Sequence, residues 1–192
     1  MPEEAARLGP GRMVLVVGPS GAGKDTLMEA LQDRLRGRSD VQFARRAITR
    51  QADADAEDHD TLDRAGFERL VSTGEVALAW EAHGLGYVIP KTCDAVIRAG
   101  GTVIANGSRR VLRLAERKYE NALVLLITAP VDILAERLAA RGRETREEIR
   151  RRLERADLEP ENVTNLIRIE NTGTVDDAVT KMMAVLELSG DD

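Results

Sequence analysis

Gly18-Pro19-Ser20-Gly21-Ala22-Gly23-Lys24 spaces its outer glycines and a lysine as GxxxxGK, a pattern whose backbone N–H groups close around phosphate oxygens. Lys24 is then expected to reach the terminal phosphates of a nucleotide, ATP by this reading. Asp25 follows, where such loops ordinarily carry a hydroxyl residue that ligates magnesium. A carboxylate is a more strongly charged oxygen ligand, so Asp25 is a candidate to hold Mg2+, directly or through water. Thr26 offers a hydroxyl one position later. The candidate nucleotide loop therefore comprises Gly18, Pro19, Ser20, Gly21, Ala22, Gly23, Lys24, Asp25 and Thr26.

Such a loop works only between a strand and a helix. Met13-Val14-Leu15-Val16-Val17 is short, branched and uninterrupted, as a buried strand should be. From Thr26 onward, Leu27, Ala30, Leu31 and Leu35 recur at helical spacing. The helix N-terminus adds favourable partial positive charge for phosphate. Residues 1–11 read as a loose polar leader, and Val41–Ala47 as a second strand. A short helix is expected around Ala65–Ser72, with strands at Val76–Glu81 and Tyr87–Ile89. Thr102–Ala105, Ala122–Ile127 and Leu166–Ile169 are further strands. One helix runs through Val111, Leu112, Leu114 and Ala115, and the last covers Val175–Leu188. Strands alternating with helices predict an α/β fold with a parallel sheet covered on both faces.

Hydrophobic residues make up 43% of the 192, enough for a proper core. With two Phe, two Tyr and one Trp, aliphatic side chains must fill it. A net charge of −5 argues against a general nucleic-acid or membrane surface. The single Cys93 excludes an internal disulfide and fits a reducing cytosol. No apolar stretch approaches a membrane-spanning length, and the N-terminus lacks a signal-like core. A cytoplasmic domain without membrane or nucleic-acid partners is expected, its oligomeric state open.

Two segments stand apart in texture. Gln51–Asp63 is acidic and Ala-rich, with Asp53, Asp55, Glu57, Asp58, Asp60 and Asp63, and reads as a surface loop of functional length. Residues 137–152 are rich in arginine. Such a run is ordinarily a solvated, salt-bridged face, but beside a phosphate loop it also suits a closing lid that stabilises transferring charge.

Together, the GxxxxGK loop, the Thr49-Arg50 pair and the segment Arg141-Gly142-x-Glu144-Thr145-x-Glu147-Glu148-Ile149 with Arg152-Leu153 resemble guanylate kinase. The resemblance is closer to a related family, the ribose 1,5-bisphosphate phosphokinases of bacterial phosphonate catabolism. Its marks are Asp25, Glu57-Asp58-His59, Ala82-His83-Gly84-Leu85 with Tyr87 and Pro90, and Asn106-Gly107-Ser108-Arg109. Val88 departs from both families, which usually carry glycine there.

The resemblance implies a guanylate-kinase-like P-loop NTPase fold. Its core would span 12–47 and 101–192, its substrate lobe about 48–100, and its lid about 137–152. It also implies ATP-dependent formation of 5-phosphoribosyl 1-diphosphate (PRPP), with guanylate kinase or a non-catalytic nucleotide-binding scaffold as alternatives. Positions that bind or read GMP in guanylate kinase are changed. Arg46 stands where a serine holds substrate phosphate, Asp53 where a second arginine stands, and Ile89 and Asn106 where threonine and aspartate read guanine. An apolar side chain cannot replace a buried hydrogen bond to a base, whereas a sugar bisphosphate asks for arginines and hydroxyls.

The implied catalytic set is Lys24, Arg137, Arg141 and Arg152. The implied acceptor set is Arg46, Thr49, Arg50, His59, Glu81, Tyr87, Asn106, Ser108 and Arg109, and Asn171 lies near adenine. For Arg50 and Tyr87 the alternative is a surface pair, and for His59 a solvated loop histidine. Glu81 is either a ribose-hydroxyl acceptor or the structural partner of an arginine. His83 is expected to shape a turn, and Cys93 to pack in a short helix.

Overall fold

A computed structural model of the chain describes residues 6–50, 59–140, 145–155, 160 and 163–188. Strands alternate with helices through most of it. The elements are β1 (Leu8–Val17), α1 (Lys24–Arg34), β2 (Val41–Phe43), β3 (Ala47–Ile48), β4 (Asp60–Thr61), α2 (Arg64–Ser72), β5 (Val76–Ala82), β6 (Leu85–Pro90), α3 (Thr92–Arg98), β7 (Thr102–Asn106), α4 (Leu112–Lys118), β8 (Tyr119–Thr128), α5 (Val131–Ala139), α6 (Arg146–Arg155), β9 (Leu166–Glu170) and α7 (Val175–Leu186). A 3₁₀ turn at Arg109–Val111 leads into α4. One sheet has the order β2-β7-β1-β8-β9, with β2 parallel to β7 and β8 parallel to β9. A second has the order β4-β3-β6-β5.

The chain divides into two compact units, Met1–Leu15 with Arg38–Leu123, and Val16–Gly37 with Val124–Asp192. In the first unit β5 and β6 form an antiparallel hairpin closed by His83 and Gly84 between the paired Ala82 and Leu85. Both turn residues have positive φ, 52° and 77°, the mirror-image turn that matches the twist of its strands. His83 thus shapes the turn, as expected. Phe67 of α2, Leu78 of β5, Ile89 of β6 and Ile97 of α3 fill this unit's interior. Cys93 lies wholly buried in α3, and burial pushes its thiol up to about 11.

In the second unit, Leu27 and Leu31 of α1, Leu125–Ile127 of β8, Leu134 of α5 and Met182 of α7 form the core. Thr174 and Asp177 cap α7 reciprocally, side chain to backbone in both directions, which fixes where that helix starts.

Three expectations about boundaries are corrected. The strand read from Met13 begins at Leu8, so residues 8–11 are no loose leader. The Arg12 amide donates to the Gly101 carbonyl (3.0 Å) and Asn121 Nδ2 to that of Pro10 (2.8 Å), long-range bonds that no local pattern announces. The single strand read over Val41–Ala47 is two, because β2 pairs with β7 in one sheet and β3 pairs with β6 and β4 in the other. The last helix ends at Leu186, where Glu187 turns left-handed as its cap.

Candidate functional site

The phosphate-type loop joins β1 to α1, as its strand–helix context requires. Gly18 has φ 151° and comes so close to β8 that a Cβ on it would lie 2.2 Å from the Ile127 carbonyl oxygen. Gly23 is the N-cap of α1 in left-handed conformation, and a Cβ there would meet Asn171 Nδ2 at 2.5 Å. Only glycine lets the backbone run this tightly. Lys24 curls over its own loop, donating to the Gly18 carbonyl at 2.9 Å and that of Pro19 at 3.2 Å. Asp25 and Thr26 are exposed in the first turn of α1. Gly23, and not Asp25, occupies the cap position, and the Asp25 carboxylate sits where the helix dipole favours negative charge.

Two further predicted residues surround the loop. Asn171, just after β9, is buried and donates from Nδ2 to the Ala22 carbonyl at 2.8 Å. Arg137 of α5 reaches the Asn171 carbonyl at 3.0 Å and that of Gly21 at 3.4 Å. Asn171, expected near adenine, thus braces the phosphate loop through a side-chain bond, and Arg137 ties the same two segments through their backbones. Arg141 lies outside the described residues. Arg152 belongs to α6, but its side chain also lies outside them. Elsewhere on α6 the basic run is paired. Arg150 contacts Glu154 (2.9 Å) and Asp132 (3.6 Å), and Arg151 contacts Glu147 (3.3 Å). These two arginines match the solvated, salt-bridged reading. Ile149 and Leu153, one helical turn apart, turn inward.

The predicted acceptor residues belong to the first unit. Tyr87 on β6 faces Trp80 on β5 and Ile48 on β3 across the ladder. The Trp80 and Tyr87 rings stack with centroids 5.2 Å apart and planes 4° from parallel. Over them lies the guanidinium of Arg46, 5.6 Å from the Tyr87 ring and 6.0 Å from that of Trp80. Arg46 is only 7% exposed, so a cation is held deep against an aromatic pair. Thr49 accepts from the Gly86 amide at 2.8 Å while its own amide donates to the Gly86 carbonyl. Arg50 is exposed one residue later. His59 is buried beside β4, so the solvated alternative for it is withdrawn.

Glu81, exposed on β5, accepts from Arg64 at 2.8 Å. Asn106 is buried at the end of β7. Ser108 caps the 3₁₀ turn that carries the exposed Arg109. Ile89 is wholly buried and pairs with Leu78.

Two groupings escaped the sequence. One is the Arg46 contact with Trp80 and Tyr87, since Trp80 carried no motif. The other lies inside the first unit, where Asp94 of α3 accepts from Lys118 Nζ (2.8 Å) and from the Tyr119 hydroxyl (2.8 Å). Lys118 also donates to the Ala77 carbonyl at 2.6 Å. Burial works against the Asp94 charge, but the bonds from Lys118 and Tyr119 outweigh it and hold the carboxyl below its ordinary range. Burial and the Asp94 bond together raise the Tyr119 phenol. Three residues from separate elements leave no spacing signal in sequence.

Comparison with known proteins places this geometry. A family profile described as an AAA domain matches residues 14–162. The chain is 44% identical to the ribose 1,5-bisphosphate phosphokinase PhnN of Rhizobium etli over 92% of this chain and 90% of that protein. It is 49% identical to the protein so named in Brucella melitensis, over 86% of each. Among solved structures, guanylate kinase from Anaplasma phagocytophilum superposes with a TM-score of 0.65 at 17% identity, covering 99% of this chain and 90% of that one. That likeness speaks to the fold, a P-loop kinase fold with a parallel sheet flanked by helices. Among the described residues, no helix is long and apolar enough to cross a membrane.

Proposed function

The chain belongs to the ribose 1,5-bisphosphate phosphokinase family and, by its AAA-domain match, to a wider P-loop class, and on that premise we propose that it phosphorylates ribose 1,5-bisphosphate with ATP to give PRPP. The reaction serves phosphonate breakdown in the cytoplasm. The nucleotide belongs at Gly18–Thr26 and the acceptor with residues of the first unit, a lobe of about 48–100 extended by Asn106, Ser108 and Arg109. Residues of about 137–152, with Arg137, Arg141 and Arg152, form the lid.

The observation that carries the choice of acceptor is Ile89. It is wholly buried against Leu78, at the position where guanylate kinases read the base with threonine. No hydrogen-bonding side chain is offered there, and a purine edge left unpaired discriminates strongly against GMP. Arg46, held against Tyr87, supplies instead a cation for phosphate. Arg50, Tyr87, Thr49 and His59 complete the proposed acceptor set, while Glu81 pairs with Arg64.

The nucleophile is a phosphate oxygen of the acceptor, already ionised at neutral pH, so no strong general base is required. Catalysis is then positioning and charge stabilisation, by Lys24 and the lid arginines. Asp25 and Thr26 are the hard oxygen donors that would hold Mg2+, whose contribution when bound is to neutralise phosphate charge. Mg2+ commonly keeps several waters and takes one or two carboxylates together with substrate phosphates.

PRPP formation should be assayed from ribose 1,5-bisphosphate and ATP, with GMP in parallel. The expected result is a far higher kcat/KM for the sugar bisphosphate. A higher value for GMP would reverse the assignment, and stoichiometric nucleotide binding without turnover on either acceptor would favour a scaffold.

A further inference from the structure

β3 ends at Ile48, which pairs with Tyr87 of β6, and the next step of that ladder is closed by a side chain. Thr49 and Gly86 stand where a regular antiparallel pair would exchange two main-chain bonds. One is present, from the Thr49 amide to the Gly86 carbonyl at 3.0 Å. The Gly86 amide instead donates to the Thr49 hydroxyl, at 2.8 Å. The hydroxyl thus takes the bond that the Thr49 carbonyl would accept if β3 continued, and Arg50 leaves the ladder as an exposed residue. Gly86 is a firm anchor for this exchange. It is buried, so its amide must be paired. A Cβ on it would lie 2.7 Å from the Phe67 ring of α2, so that ring packs directly on the Gly86 backbone.

We propose that Thr49 is a positioning residue for the acceptor phosphate, its hydroxyl clasping β6 and so fixing the point at which Arg50 departs, close to Tyr87. The inference rests on the acceptor reading above, and it makes Thr49 a group that acts through Arg50 rather than a substrate contact. An exposed arginine loses much rotamer freedom when it binds an anion. A backbone that launches it in one direction lowers that cost in advance. Valine matches threonine in shape but offers the Gly86 amide no acceptor. The amide is then left to the main-chain carbonyl at position 49, an exchange that prolongs β3 and redirects Arg50. Serine keeps the acceptor and with it the departure point.

Calorimetric titration with ribose 1,5-bisphosphate reads acceptor affinity without turnover. Arg50→Met should raise Kd about tenfold, the loss of one charge-assisted contact. Thr49→Val should raise it about fivefold, and Thr49→Ser should stay within about twofold of wild type. Thermal unfolding checks that each variant is folded, and Thr49→Ala replaces Thr49→Val if the latter is not. Thr49→Val in the Arg50→Met background decides the route. A group that acts through Arg50 adds nothing once Arg50 is gone, whereas a direct contact multiplies the two losses. Multiplied losses overturn the inference, as does a folded Thr49→Val with wild-type affinity, a Thr49→Ser that binds no better than Thr49→Val, or an Arg50→Met that binds like wild type. PRPP formation is assayed alongside in the wild-type protein. The expected coupling without PRPP overturns the kinase reading alone. PRPP formation with multiplied losses overturns the role of Thr49 alone, and absence of both binding and PRPP removes both.

Discussion

Asn171 and Gly23 compete for one volume. The Asn171 Nδ2 that donates to the Ala22 carbonyl lies 2.5 Å from where a Cβ on Gly23 would stand. The turn into α1 is thus held by a side chain from the far side of β9, which is why the loop keeps its shape without a side-chain cap on that helix.

Replacing Asn171 by Ala leaves the buried Ala22 carbonyl without its donor. Such a loss costs about 1–3 kcal/mol. We expect a lower Tm together with weaker nucleotide binding, measured by calorimetric titration with an ATP analogue, and an unchanged acceptor KM.

Lys24→Ala removes a cation whose ammonium donates to the Gly18 and Pro19 carbonyls of its own loop. The fold should survive, while turnover falls roughly 10²–10³-fold, the scale for one lost charge-stabilising donor. Near-normal turnover in a folded variant would remove the nucleotide assignment.

Asp25 separates metal binding from helix electrostatics. If it holds magnesium, Asp25→Ser should shift the magnesium titration of activity to higher concentration, and Asp25→Ala further still. If its contribution is only to the α1 dipole, worth about 0.3–1 kcal/mol, both variants lose a little stability and the titration stays where it was.

Asp94 sets an acid limit on stability. Its carboxyl is held below the ordinary value of 3.8, so folding favours its ionised form. That stabilisation is full above 3.8, where the unfolded chain's carboxyl is also ionised, and is lost as pH falls through the lower folded value. Asp94→Asn leaves the half-buried Lys118 beside a neutral group, which costs about 1–3 kcal/mol at neutral pH. Denaturation at stepped pH should show the gap between the two proteins narrowing below 3.8.

The loop, its strand and its helix were legible in sequence because branched residues at Met13–Val17 and the Leu27, Leu31, Leu35 spacing are local signals. The start of β1 was not, because Gly9, Pro10 and Gly11 read as breakers and the groups that hold this stretch, the Gly101 carbonyl bonded to Arg12 and the Asn121 amide bonded to Pro10, are remote in sequence. The acceptor residues were nameable one by one from motifs, but not their relations. Nothing in the spacing of Arg46, Trp80 and Tyr87 says that strand pairing stacks them. Glu81 is similar, since its partner Arg64 lies on α2 and no spacing in the sequence announces that pair.

Lys24 and Arg137 between them engage four carbonyl oxygens, those of Gly18, Pro19, Gly21 and Asn171. These neutral dipoles act as built-in competitors. A singly charged anion such as chloride offers each cation little more than the carbonyls already do, whereas a polyphosphate brings several charged oxygens to both at once. On the proposed nucleotide assignment, the loop would carry a threshold: small anions would leave its internal contacts in place, and occupancy would favour multivalent phosphate.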